Sequence, residues 1–142
     1  MKYVVGLLFS EDLKQIVLIK KNRPEWQKGL LNGPGGKIEK DETPYYAMRR
    51  EIAEETGIVV DQWQLLFVQT GIKEDYIVNY YIAKTSYAQL NQIRSTTDEF
   101  VGVYDVKYLE TDQLVNTLAW AIPLAIYSLS GKMDNEAIIL KC

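Results

Sequence analysis

The chain has no histidine among its 142 residues and a single cysteine, Cys142, at its last position. The first absence excludes His-based triads, His general bases and His metal ligands. The second excludes disulfide frameworks and cysteine zinc sites, and Cys142 is expected to be an inconsequential terminus. There is no run of 18 apolar residues, and the first residues enter a strand pattern instead of a signal peptide. The expectation is a cytoplasmic protein that neither spans nor docks on a membrane. Basic residues number 16 against 19 acidic ones, a net charge of −3, so no overall basic field points to a stable nucleic-acid complex. Any base that activates water here must be a carboxylate, a lysine or a tyrosine.

What the chain does have is concentrated between Gly36 and Ile58, in GKIEKDETPYYAMRREIAEETGI. Thr43-Pro44 supplies an N-cap followed by proline at the first helical position, and Gly57 stands where a C′ glycine belongs, so the helix is predicted over Pro44–Thr56. On it, Glu51, Glu54 and Glu55 are spaced i, i+3, i+4 and are expected to project from one face close together. Three stacked like charges repel. A divalent cation removes the repulsion, and hard oxygen ligands suit Mg²⁺ or Mn²⁺. Met48 and Ile52 fall on the other face and are predicted to pack in the core.

The rest of the chain reads as one α/β domain over 1–142. Tyr3–Phe9 and Gln15–Lys20 are apolar, β-branched runs around a turn at Ser10-Glu11-Asp12, a predicted hairpin. Asn22–Gly36 is expected to be a loop. Gln64–Thr70, Tyr76–Ala83 and Phe100–Val106 read as strands, Tyr87–Ile93 as a short helix or loop, and Ala137–Leu140 as a last edge strand. Asp112–Ser130 has helical period, with Pro123 sitting early in the helix or kinking it. Strands outnumber helices and both helices must bury a face, which favours a mixed sheet between helices. Between Lys14 and Lys40 there are seven basic residues against two acidic ones. That local excess points some of these residues, though not all seven, to a polyphosphate; the alternative is a solvated edge whose lysines deter strand pairing.

The fixed positions Gly36, Glu42, Arg50, Glu51, Ile52, Glu54, Glu55, Gly57 and Ile58 fill the pattern G-x5-E-x7-R-E-U-x-E-E-x-G-U, U being aliphatic. The chain thereby resembles the Nudix hydrolases, directly over these 23 residues and more loosely over most of its length. The resemblance implies an α/β/α sandwich with a mixed β-sheet between helices. It implies that Glu51, Glu54 and Glu55 ligate Mg²⁺ or Mn²⁺ together with the carbonyl of Gly35, and that the metal lowers the pKa of a bound water. Arg50 and Glu42 would orient these ligands. Lys37 would meet a phosphate or the charge developing on the leaving group. A further carboxylate from outside the motif, Glu99 rather than Asp98, would be a metal ligand or base. Glu54, Glu51 and Glu99 are thus the candidate bases.

The reaction implied is attack of water on a nucleoside diphosphate joined to a group X. Leu31–Glu39 looks like the matching stretch of MutT-type enzymes, which hydrolyse nucleoside triphosphates, oxidised dGTP included, to the monophosphate and pyrophosphate. Arg23, Asn32, Lys37 and Asn116 are the candidate substrate contacts; an asparagine amide reads a purine edge through its donor and its acceptor. Either asparagine also suits a turn or cap. Trp26 and Trp120 are candidates for stacking on a base, against a default of core packing. The ADP-ribose group is disfavoured, because the only proline beyond the motif after Pro44 is Pro123. Tyr76 falls where the diadenosine polyphosphate group carries a tyrosine. A non-catalytic nucleotide sensor is a further class, and a homodimer through apolar edges is a further expectation.

Overall fold

A computed structural model describes residues 1–131 and the backbone of 138–141; the expectations for Ala137 and Cys142 lie outside the described residues. In chain order the elements are strands β1 (Lys2–Ser10), β2 (Gln15–Lys20), β3 (Leu31–Asn32) and β4 (Gly35–Lys37), helix α1 (Pro44–Thr56), and strands β5 (Gln64–Thr70) and β6 (Ile77–Thr85). Then come helix α2 (Tyr87–Leu90), strand β7 (Phe100–Asp105), helix α3 (Leu118–Leu129) and strand β8 (Ile138–Lys141).

All the described strands belong to one mixed sheet with β1 near its centre. Strand β6 runs parallel along one edge of β1, from Lys2 opposite Ile77 to Ser10 opposite Thr85. The other edge is shared: β2 pairs antiparallel at Leu8 and Phe9, and β4 pairs antiparallel at Tyr3, Val4 and Val5. Ile16 and Val17 pair with β1 and also with β7, so β7 lies on the far side of β2. Strand β5 is antiparallel to β6, and β8 is parallel to β5.

With neighbours on both edges and helices over both faces, β1 is buried from Val4 to Ser10. Its alternation sorts the core into two halves. Val5, Leu7 and Phe9 pack with Leu118, Ala121, Ile122 and Ala125 of α3. Val4 and Leu8 pack with Ala47, Met48 and Ile52 of α1. Met48 and Ile52 have no exposed surface, and burial of such side chains stabilises by about 1.5–3 kcal/mol each. Gly6 lets α1 settle close, since a Cβ there would lie 2.7 Å from Met48 Cε and 2.9 Å from the Trp63 ring.

The helix predicted over Pro44–Thr56 has those bounds. Thr43 Oγ1 accepts from the Tyr46 N–H, and Gly57 ends the helix at φ 80°, in the left-handed region. Elsewhere the structure departs from expectation. The stretch 22–36 contains β3 and the start of β4, because free edges of β2 and β1 offer it hydrogen-bond partners. The final helix starts only at Leu118: residues 111–113 form a separate short turn closed by Glu110 and Gln113, and Pro123 lies within α3. Strand β6 starts at Ile77, leaving Tyr76 outside it. The described helices include none long and apolar enough to cross a membrane.

Candidate active site

Arg50 of α1 gathers several of the surrounding carboxylates. Arg50 grips Glu42 with two hydrogen bonds, Nε to Oε2 at 2.7 Å and Nη2 to Oε1 at 2.9 Å. Its Nη1 donates to Glu51 Oε1 at 2.9 Å and to Glu54 Oε2 at 3.2 Å, and Nη2 reaches the Lys37 carbonyl at 3.1 Å. Paired, hydrogen-bonded guanidinium forks are the strong kind of ion pair. Glu42 is held below the usual carboxylate range, first by Arg50, against some burial. It also accepts from the Glu39 N–H at 3.0 Å, so the turn before α1 and the helix surface are tied together. Part of the repulsion expected among the glutamates is therefore offset within the protein.

The three glutamates differ in exposure but stay connected, as expected of one helix face: Glu51 shares Arg50 Nη1 with Glu54 and lies beside Glu55. Glu54 is 58% exposed and leans on Arg50. Glu55 is buried, and its Oε1 accepts from the Gly35 N–H at 2.9 Å. Burial pushes the Glu55 carboxyl up to about 8; the Gly35 N–H opposes this, the Glu51 charge adds to it, and the nearby Lys21 charge offsets part of it. Glu51 lies within hydrogen-bonding reach of Glu55 and presses on the glycines, since a Cβ at Gly36 would fall 2.5 Å from Glu51 Oε1. Helical spacing puts all three on one face, with Glu55 deepest against the glycine strand and Glu54 nearest solvent. Among the described residues no three acidic side chains are gathered for an ion.

A divalent cation nonetheless fits the Glu51–Glu55 pair. A half-buried and a buried carboxylate side by side, with backbone held close by glycine, are hard oxygen donors whose mutual charge a cation neutralises. Glu99 is held differently. It is buried, Lys21 Nζ donates to Oε1 at 3.1 Å, and the Asn22 N–H donates to Oε2 at 2.6 Å. Burial raises its pKa, but these donors outweigh burial and keep it low. Both its oxygens are thus engaged by the protein. Asp98 pairs with Arg23 at the exposed surface.

Beside the glycines a cavity of about 790 Å³ opens, lined among others by Lys21, Arg23, Trp26, Asn32, Gly35 and Gly36. Arg23 and Asn32, singled out from the sequence, are in its wall. Lys37 and Asn116 are not. Lys37 is exposed on β4, where its backbone is what Arg50 uses. Asn116 is exposed ahead of α3, its carbonyl accepting the Ala119 N–H at 3.2 Å, a turn-forming role. Trp26 is 66% exposed at the cavity, whereas Trp120 packs on Phe67 with ring centroids 4.9 Å apart. Tyr76 also lines the cavity. Of the seven basic residues expected to favour polyphosphate, only Lys21 and Arg23 reach this wall. Gln27, which the sequence did not single out, lines it too.

A glutamate pair in a glycine niche, an arginine that fixes the surrounding acids and an adjoining cavity define a site suited to hydrolysis of phosphoanhydrides. The family model of the NUDIX domain matches residues 2–127, and the chain belongs to that family of hydrolases. It is 29% identical over 136 residues to the ADP-ribose pyrophosphatase of Bacillus subtilis (strain 168), covering 94% of this chain and 74% of that protein. It is 31% identical over 113 residues to the methanol dehydrogenase activator of Bacillus methanolicus, covering 78% of this chain, and spans 61% of that relative's length. A MutT-like protein of Streptomyces ambofaciens is 27% identical over 116 residues, with 82% and 68% covered.

The fold agrees with that of MutT from Aliivibrio salmonicida and Vibrio cholerae, at TM-score 0.70 and 23% identity over 90% of this chain and 99% of that one. It agrees equally with the NUDIX domain of Shewanella oneidensis NrtR complexed with ADP ribose, at TM-score 0.70 and 20% identity over 91% and 88%. The mixed sheet between helices is the Nudix fold.

Proposed function

We propose that this chain, as one catalytic domain over residues 1–142, hydrolyses a nucleoside triphosphate to the monophosphate and pyrophosphate with Mg²⁺ or Mn²⁺. The observation that carries this reading is the pairing of half-buried Glu51 with buried Glu55 against Gly35 and Gly36, which themselves line the cavity. Glu51, Glu55 and the Gly35 carbonyl would hold the ion. When bound, a divalent ion neutralises phosphate charge and acidifies water enough for attack near neutral pH. Arg50 keeps Glu51 and Glu54 in place, and Glu42 keeps Arg50 in place. Glu54, exposed beside them, would take the proton of the attacking water. Lys21 and Arg23, in the cavity wall, would supply positive charge to the phosphates. One P–O bond forms to water, and the phosphoanhydride bond breaks with pyrophosphate leaving.

A second reading is hydrolysis of ADP-ribose, supported by the Bacillus subtilis relative that aligns over most of the chain. Diadenosine polyphosphates, suggested by Tyr76, are a third substrate class, and the full acidic set argues against a purely sensing role. The test is incubation with Mg²⁺ and a panel of dNTPs, 8-oxo-dGTP, ADP-ribose and diadenosine tetraphosphate, with products identified. The proposal expects monophosphate and pyrophosphate from a triphosphate. Cleavage of ADP-ribose alone would replace it with the second reading, and nucleotide binding without turnover would favour the sensor.

A further inference from the structure

The cavity wall carries a short relay of neutral polar groups besides its charges. The Gly33 backbone N–H donates to Asn32 Oδ1 at 2.8 Å, and Asn32 Nδ2 donates to Gln27 Oε1 at 3.2 Å. A backbone N–H can only donate, so it dictates which end of the Asn32 amide is oxygen; the Asn32 nitrogen then dictates the same for Gln27. Gln27 Nε2, with its two N–H groups, is left as the outer end of the relay, and no hydrogen bond from it is made among the described residues. Both residues line the cavity.

The relay is anchored at each end by backbone. Asn32 is buried in β3, paired opposite Ile19. The Gln27 N–H donates to the Pro24 carbonyl at 2.9 Å, and its own carbonyl accepts the Leu30 N–H at 2.8 Å. Next to Gln27 the exposed Trp26 lines the same cavity. An indole face beside an oriented amide is suited to a planar heterocycle that stacks and is read along one edge.

A free glutamine meets adenine with both its oxygen and its nitrogen. Here the oxygen already accepts from Asn32, while the N–H groups are unspent. Guanine offers two acceptors, O6 and N7, on the edge where adenine presents its N6 amine. Resting on the nucleotide-hydrolase reading of this cavity, we propose that Gln27, oriented by Asn32 and Gly33, reads a carbonyl on the base edge and makes the site prefer keto purines over adenine.

The test is calorimetric binding of GMP, IMP and AMP to the whole chain and to Gln27→Glu. The variant keeps an acceptor for Asn32 and removes the N–H donors. The wild type is expected to bind GMP and IMP several-fold more tightly than AMP. IMP lacks the 2-amino group, so its parity with GMP assigns the effect to the O6 edge. In Gln27→Glu the GMP-to-AMP ratio should fall by about ten-fold, the scale of one lost base-edge contact. Asn32→Asp, which keeps the bond from Gly33 and removes the donor to Gln27, should lower the ratio too, and supplies the answer if Gln27→Glu does not fold. An unchanged ratio in the folded variant, a wild type that prefers AMP, or no binding of any monophosphate would overturn the inference. Monophosphates have no anhydride to cleave, so the two proposals separate. Guanine preference without triphosphate cleavage retains this one and sinks the earlier one, and equal cleavage of GTP and ATP does the reverse.

Discussion

Helices α1 and α3 cover opposite faces of the same sheet, and each buries a stripe of apolar residues at helical spacing. Away from the sheet they differ. From Leu118 to Leu129, α3 carries no charged side chain, and its exposed residues include Trp120 and Tyr127. Helix α1 turns Arg50, Glu51, Glu54 and Glu55 toward the glycine strand β4 and the adjoining turn. Packing therefore needs only the period, while chemistry needs the particular residues at the edge where helix meets glycine. Substitutions in the two helices should fail in different ways.

The largest effect is expected from Glu54→Gln. Loss of a positioned base lowers rate by about 10²–10⁴-fold, so kcat should fall at least 100-fold while the melting temperature holds, because Glu54 is 58% exposed. Steady-state kinetics with a melting curve checks this, and near-wild-type kcat would remove Glu54 from the reaction. The mirror experiment is Leu118→Ala in α3, at a fully buried site. Stability should drop by about 2–5 kcal/mol in denaturant unfolding, with kcat per folded molecule unchanged. Should Leu118→Ala impair kcat as Glu54→Gln does, the division between packing and chemistry is wrong.

Arg50→Lys sharpens the contrast within α1. Lysine keeps the charge but not the fork that holds Glu42, Glu51 and Glu54 together. A loss of about 10–100-fold in kcat is expected, as for other groups that orient ligands; single-turnover kinetics at saturating Mg²⁺ isolates it. The smallest effect is on pH dependence. Glu55 has its folded pKa raised to about 8, so the folded chain binds that proton more tightly than the unfolded one. In chelator the stability it contributes is present below the ordinary carboxylate pKa and is lost as pH rises toward 8. Melting temperatures across that window should fall for the wild type and flatten for Glu55→Gln.

Much of α1 is legible from residues alone because its signals are local: Thr43, Pro44 and Gly57 mark its ends, and the carboxylate spacing marks its working face. The division of labour among those carboxylates is not local. It depends on Arg50 reaching back to Glu42 and on Gly35 meeting Glu55, contacts made by folding β4 onto β1. For the same reason β3 and β4 read as loop; segments of two or three residues, Leu31–Asn32 and Gly35–Lys37, become strand only when β2 and β1 offer partners. Arg23 and Lys21 are indistinguishable in composition, yet Arg23 pairs with Asp98 at the exposed surface and Lys21 with the buried Glu99. Nothing near Gln27 in the sequence announces its role, which comes from the Gly33 N–H two links away.

The central claim is that Glu51 and Glu55 together capture a divalent cation against the glycine strand. Titration of Mn²⁺ followed by electron paramagnetic resonance, with the wild type, Glu51→Gln and Glu55→Gln, tests it most directly. The account predicts saturable binding to the wild type, weakened at least ten-fold in each variant. Wild-type protein that captures no Mn²⁺ even with nucleotide present, or variants that bind it as tightly as the wild type, would contradict it.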